Sequence, residues 1–200
     1  MTTLVVQPGL VNSRDMSRRT DLLDSAIDVV GTDGIRALTH RRVDERAGVA
    51  LGSASNLFRT RRALLEGVLD RLLEIDQQVV ASITGTSLPR TVDALAGALT
   101  AYSSHALGPE SVRTRARFAV FAEAAGDAPL NTAIESRRAE LIGVITRSLT
   151  IIGGVTNPAA AARALSDHLD GALLHTITGQ HLDIDEFRAA TERHIRAWMR

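Results

Sequence analysis

The chain contains no cysteine. That excludes a disulfide framework, a thiolate nucleophile and any cysteine-ligated zinc or iron–sulfur centre. Lysine is also missing: all 23 basic residues are arginine, and they balance 23 acidic residues to a net charge of zero. A uniformly basic nucleic-acid coat is therefore excluded. Arginine without lysine, beside abundant alanine, reads as a coding bias, so the number of arginines carries little weight. Aromatics are scarce, at four Phe, one Trp and one Tyr. No run of about 18 apolar residues occurs, so no membrane span is expected. The only early apolar run is Leu4-Val5-Val6, so no signal peptide is readable and a soluble cytoplasmic protein is expected. Gly-rich phosphate loops, H-E-x-x-H and nucleophile elbows are all lacking. Carboxylate pairs such as Asp24 and Asp28 fall on exposed helical faces. No enzyme and no cofactor are expected.

What remains is helix. Alanine and leucine dominate, and period-2 runs of β-branched residues are lacking. An all-α fold of about nine helices is expected, at about 16–32, 40–47, 52–58, 60–80, 90–107, 110–125, 129–152, 158–179 and 184–199. Leu22, Leu23, Ala26, Ile27 and Val30 make the apolar stripe of the first helix. Gly34 supplies its exit, and Thr39 and Thr60 are N-cap candidates whose hydroxyls satisfy free backbone N–H groups. The expected domains are a flexible arm at 1–15, a helix-turn-helix unit at 16–62, and a larger helical unit at 63–200.

Charge is not spread evenly. From Arg36 to Arg62 seven arginines face two acids, a local net of +5, whereas residues 71–200 carry a net of −1. A positive field confined to one short segment suits a local phosphate contact. The same segment holds "GVALGSASNLFRTRR". Two short helices joined by a glycine-containing turn form a helix-turn-helix pattern, whose second helix enters the major groove. Gly52, Ser53 and Ala54 are small enough to let a backbone approach DNA. Ser55 and Asn56 can hydrogen-bond base edges, and Asn suits adenine. Leu57 and Phe58 are expected to anchor the helix on Leu22, Ile27 and Val43. Arg59, Arg61 and Arg62 are expected near backbone phosphates, positioning the protein without reading sequence. The blander reading is a solvated helical hairpin; the coincidence of charge, small residues and helix punctuation argues against it.

Residues 18–74 resemble the N-terminal DNA-binding domain of the TetR family of transcriptional regulators. The resemblance rests on Leu22-Leu23-Asp24-Ser25-Ala26, Gly34, Thr39, Val43, Ala47-Gly48-Val49, Gly52-Ser53, Phe58, and a basic residue before Leu64. It implies a homodimer whose last two helices build the interface. It also implies a C-terminal pocket whose small-molecule effector respaces the two reading helices and releases a palindromic double-stranded DNA operator. Most such proteins are repressors. Thr39 matches the threonine that caps the second helix and approaches phosphate. Gly52 and Ser53 match the small pair opening the reading helix, and Arg61 matches the basic residue opening the fourth. Arg41 and Arg42 complete the DNA-binding set. The chain departs from the family at Ser55 and Leu57, where aromatics are usual.

Tyr102, His105, Arg117, Phe121, Glu123 and His175 are candidate effector contacts, because they lie on the helices that form the pocket in this family. For each, packing or surface placement is the blander reading. His168 and His175 lie seven apart, near His181, Asp183 and Asp185. Tight helical metal sites use spacings of three or four, so no metal is expected. Leu165, Leu169, Ala172, Leu173 and His175 are expected to face a partner subunit. Trp198, close to the end of the sequence, is expected to be covered by that partner. The functional expectation is a ligand-responsive dimeric repressor. The alternative is a DNA-binding regulator without a small-molecule effector, controlled by abundance or by a protein partner.

Overall fold

The computed structural model describes residues 13–108 and 110–200. The expected arm thus lies outside the described residues as far as residue 12. Helix α1 (Ser13–Asp33) begins at Ser13 rather than at Met16, so residues 13–15 form its first turn. Gly34, at φ 87, ends it, and a 3-10 turn at Ile35–Ala37 that periodicity did not foresee follows. Three residues are too few to show a helical period.

Helix α2 (His40–Ala47) is capped by Thr39, whose Oγ1 accepts the Arg42 N–H at 3.2 Å. It exits through Gly48 at φ 65. Helix α3 (Ser53–Leu57) is a short turn and a half, entered through Gly52 at φ 94. Helix α4 (Arg61–Thr84) opens with the Thr60 hydroxyl accepting the Ala63 N–H at 3.0 Å. There follow α5 (Val92–Leu107), α6 (Ser111–Glu123), α7 (Ala128–Ile152), α8 (Pro158–Ile177) and α9 (Ile184–Ala197). Among the described residues the architecture is all-helical, with nine α-helices. No helix among them is long and apolar enough to cross a membrane.

Two hydrophobic clusters organise the packing. The first joins Leu22, Ile27 and Val43 to Phe58, Leu64 and Val68, then runs into Val120 of α6 and Leu130 of α7. The second joins Leu95 and Leu99 of α5 to Leu149, Ala161, Leu165 and Ile195. Helix α4 is unbroken across residues 62 and 63, and the first cluster is continuous there. At one crossing α1 and α6 touch backbone to backbone. A Cβ built on Gly31 would stand 2.1 Å from the Val112 carbonyl oxygen, so only glycine fits. Arg115 Nε donates to the Gly31 carbonyl at 3.0 Å across the same contact.

Two packing expectations, for Leu57 and for the α8 face, are corrected. Phe58 is buried, as its role as anchor requires, but Leu57 is exposed. On a helix of five residues the chain leaves before Leu57 can turn inward. Leu165 and Leu173 are buried within this chain, and Leu169 packs against the second cluster, while Leu174 and His175 face outward. Trp198 is half-buried against the second cluster, and its carbonyl accepts the Thr156 N–H at 3.0 Å. An antiparallel bridge between Val155 and Met199 ties down this last segment.

Candidate DNA-reading surface and ligand pocket

The turn between α2 and α3 is organised by a residue that sequence reasoning passed over. Asp44, which stands among arginines in the sequence, is buried at 1% exposure. Its Oδ2 accepts the Gly52 N–H at 2.7 Å and its Oδ1 accepts the Ala54 N–H at 2.8 Å. Its own carbonyl accepts the Val49 N–H at 3.1 Å. One aspartate therefore holds both ends of the turn and supplies the cap for α3 that glycine cannot. The available signal was an acid eight residues before a helix-opening glycine.

This arrangement sorts the candidate reading residues. Ser53 is buried, its Oγ donating to the Ala50 carbonyl at 2.5 Å and accepting from Arg18 Nη2 at 2.7 Å. Its hydroxyl is spent inside the fold. Ser55 Oγ donates to the Gly52 carbonyl at 3.0 Å and is half-buried. Asn56 is exposed. Thr39 is exposed beside its cap bond.

The arginines divide as well. Arg41 pairs with Glu45 at 2.8 Å, and Arg42 with Asp33 at 3.2 Å. Arg46 pairs with Asp28 and, at 2.8 Å, with Asp33. Arg61 donates to the Ile35 carbonyl at 3.0 Å, to the Leu38 carbonyl, and to Glu123 at 3.2 Å. It thus staples the 3-10 turn to α4 and α6. Arg62 makes a bidentate pair with Asp127, both bonds 2.9 Å. Among the described residues Arg36 and Arg59 are exposed and have no ion pair of this kind. The net of +5 read along the sequence is thus largely neutralised in space by acids from outside the segment.

A cavity of about 130 Å³ opens between α4, α5, α6, α7 and α8, at the seam of the two hydrophobic clusters. Its walls are mainly apolar, with Leu69, Leu99, Phe121, Ile134, Leu141 and Ile145 contributing. A patch of polar side chains, hydrogen-bonded in two sets, interrupts them. Asp76 Oδ1 accepts from the Tyr102 hydroxyl at 2.8 Å and from Arg117 Nη2 at 2.5 Å. Asp170 accepts from Arg138 Nη2 at 2.7 Å. Burial pushes the Tyr102 hydroxyl well above its ordinary pKa, and Asp76 adds to the rise, so it remains a donor. Burial opposes the charge of Arg117, but its pairing with the Asp76 carboxylate, with Asp170 adding to it, outweighs burial and holds the guanidinium charged. Burial raises the Asp170 pKa, against the pull of Arg138 and Arg117. Buried charges persist only when paired in this way.

Of the candidate effector contacts, Tyr102, Arg117 and Phe121 line this cavity. His105 borders only a void of about 10 Å³ beside it, Glu123 is engaged with Arg61, and His175 is exposed. These three are not brought to the cavity, because helical spacing turns them to other faces. Asp76, Arg138 and Asp170 were missed. For Asp76 a signal existed: it occupies the apolar stripe of Leu65, Leu69, Leu72 and Val79, a helical position at which an ionisable group is rare. Away from the cavity His168 stacks on Phe187, ring centroids 5.0 Å apart, and meets His194 edge-on at 4.4 Å.

A family model described as the C-terminal domain of tetracyclin repressor-like proteins matches residues 90–200. No curated protein matches the sequence. Among solved structures, the multidrug binding protein EbrR complexed with imidazole is 28% identical, with 95% of this chain and 97% of that one covered and a TM-score of 0.68. The same protein complexed with ethidium is 27% identical, with coverage of 88% and 98% and a TM-score of 0.71. A member of the TetR family from Streptomyces coelicolor A3 is 29% identical, covering 88% of this chain and 97% of its own, with a TM-score of 0.72. With residues 90–200 matched by the family model and most of its length followed by these folds, the chain belongs to the TetR family of transcriptional regulators.

Proposed function

We propose that this regulator is a dimeric repressor that reads a palindromic operator with α2 and α3 and is released by a small molecule held in the cavity. The division of labour follows the expected boundaries, with DNA reading at 16–62 and ligand binding with dimerisation at 63–200. The observation that carries the reading is the double duty of α6. It places Arg117 and Phe121 in the cavity wall, and it lies against α1 at Gly31 with no space between the backbones. A ligand that moves α6 must move α1, the helix on which the reading unit packs. Ligand affinity for the displaced state then shifts the population away from DNA.

DNA contact is assigned to Thr39, Arg41, Arg42, Asn56, Arg59 and Arg61, with Gly52, Ser53 and Ser55 allowing close approach. Asn56 reads base edges and the cations meet phosphate. Effector contact is assigned to Tyr102, Arg117 and Phe121, joined by Asp76, Arg138 and Asp170. A mainly apolar cavity with one self-paired polar cluster fits an effector with a large apolar body and one polar group. That group would replace a partner within the cluster. The imidazole and ethidium bound by EbrR are in keeping with such a pocket.

The test is selection of bound duplexes from random DNA by the full chain, followed by release assays with apolar compounds bearing one charged or hydrogen-bonding group. A palindromic consensus and release by such a compound support the reading. Sequence-indifferent binding overturns the operator assignment. A selective complex that no such compound dissociates overturns the effector assignment in favour of control by abundance or a protein partner.

A further inference from the structure

Leu51 is 68% exposed, the highest value among the large hydrophobic side chains described as exposed. An isolated surface leucine needs no explanation by itself. This one is not on a loose loop. Asp44 pins the turn before and after it: the Val49 N–H, two residues earlier, to its carbonyl at 3.1 Å, and the Gly52 N–H, one residue later, to its carboxylate at 2.7 Å. The Ala50 carbonyl is held by Ser53 Oγ at 2.5 Å. The fold thus spends a buried carboxylate and a buried hydroxyl to present an apolar side chain to solvent in one fixed place. That place is the turn entering α3, the helix that carries exposed Asn56.

We propose that Leu51 is a specificity-determining residue that covers the C5-methyl group of a thymine in the operator. The inference rests on the assignment of α2 and α3 as the DNA-reading elements. A major groove offers a protein one apolar feature, the thymine methyl, and cytosine and uracil lack it. Leucine has no hydrogen-bonding group and cannot read any other base edge. Fixing its backbone in advance removes the ordering cost that a flexible side chain on a flexible turn would carry into the complex. Asn56 supplies the hydrogen-bonding half of the same readout, since Asn suits adenine. The expected half-site therefore pairs a thymine under Leu51 with an adenine near Asn56. Leu57, at the other end of α3 and less exposed, is the internal comparison, since the residues entering the helix are those that meet base edges.

The experiment uses the full chain and the duplex it selects from random DNA. Each thymine is replaced singly by deoxyuridine, which removes the methyl and leaves every hydrogen-bonding group. Binding is measured for the wild type, Leu51→Ala and Leu57→Ala. One thymine position per half-site is expected to show about a fourfold loss for the wild type, the worth of one buried methyl. Leu51→Ala is expected to show no loss at that position, and Leu57→Ala is expected to retain it. Uridine duplexes that all bind the wild type as tightly as thymine duplexes overturn the inference. So does a uridine penalty that Leu51→Ala leaves intact, because the methyl contact then belongs to another residue. Both results presuppose selective binding and leave the operator assignment standing. Failure to select any duplex would defeat that assignment and, with it, this inference.

Discussion

The Asp44 carboxylate and the Gly52 amide lie 2.7 Å apart, and this contact sets where α3 begins. Gly52 is in the left-handed region and has no side chain to cap the helix, so the cap comes from the preceding helix. Replacing Asp44 with Asn removes one acceptor and the charge while keeping the volume. A loss of about 2 kcal/mol in unfolding free energy is expected, the scale of a charged hydrogen bond together with a helix cap. Urea unfolding measures it, and affinity for the selected operator should fall with it, because the reading turn loses its tether. A fully stable variant with unchanged operator binding would contradict this account.

Arg59 and Arg61 separate into different roles. Arg59→Ala is expected to reduce the slope of log affinity against log salt by about one unit and to leave the melting temperature unchanged, since the proposed role of this exposed arginine is one phosphate contact. Arg61→Ala is expected to lower the melting temperature as well, because it releases the carbonyls of Ile35 and Leu38. Asn56→Ala is expected to lose about 1–3 kcal/mol of discrimination among operator sequences while non-specific binding persists. Titrations of specific and random duplexes over a salt series distinguish the three.

Gly31 marks the contact between cavity wall and reading unit. Gly31→Ala places a methyl 2.1 Å from the Val112 carbonyl oxygen, which no rotamer change relieves. The helices must part, at a cost of about 1–3 kcal/mol. Denaturant unfolding gives the cost. Operator binding should become less responsive to any effector, because α6 no longer bears directly on α1.

The Asp76–Arg117 pair is nearly closed to solvent, with side chains 9% and 11% exposed. Asp76→Ala leaves a charged guanidinium without its closest partner, and about 3 kcal/mol of destabilisation is expected. Replacing both residues with leucine and methionine should recover most of that loss, since a buried pair adds little net stability over an apolar one. Both variants should lose response to an effector whose polar group enters the cluster. Thermal melting and a release assay, run side by side, check the two statements.

His168 carries a pKa below the ordinary histidine value, first because burial disfavours its charge and second because His194 lies beside it. The unfolded chain therefore takes up this proton at a higher pH than the folded chain. Stability is full above about pH 6.5 and declines as the pH falls below it. His168→Phe should flatten the fall in melting temperature between pH 7 and pH 5. An identical pH profile in wild type and variant would exclude His168 as the source.

Much of this protein is written locally. The helical period of Leu22, Ile27 and Val30, the threonine caps at 39 and 60, and the glycine exits at 34 and 48 depend on residues within a turn or two of each other. The all-helical class and the reading motif follow from them. Phe58 was legible as an anchor because it is the one aromatic in a stretch of small and polar residues broken only by Leu57. Leu57 was not: whether the last residue of a five-residue helix turns inward depends on where the following chain departs.

What required the tertiary structure is the pairing of groups far apart in sequence. Composition places seven arginines in one segment, but Asp28, Glu123 and Asp127 come from elsewhere and decide which of them remain free. Asp76 and Arg117 are 41 residues apart and become a single buried polar unit only when α4 and α6 pack. Trp198, which lacks local cover, finds part of it in its own chain across the α7–α8 connection. Periodicity reports which face of a helix is buried, through the hydrophobic effect acting residue by residue. It does not report against which helix, and ion pairs, caps across a turn and the cavity all depend on that choice. The sequence by itself therefore determined the class and the reading motif, while the packing decided which charges are free and which residues form the pocket.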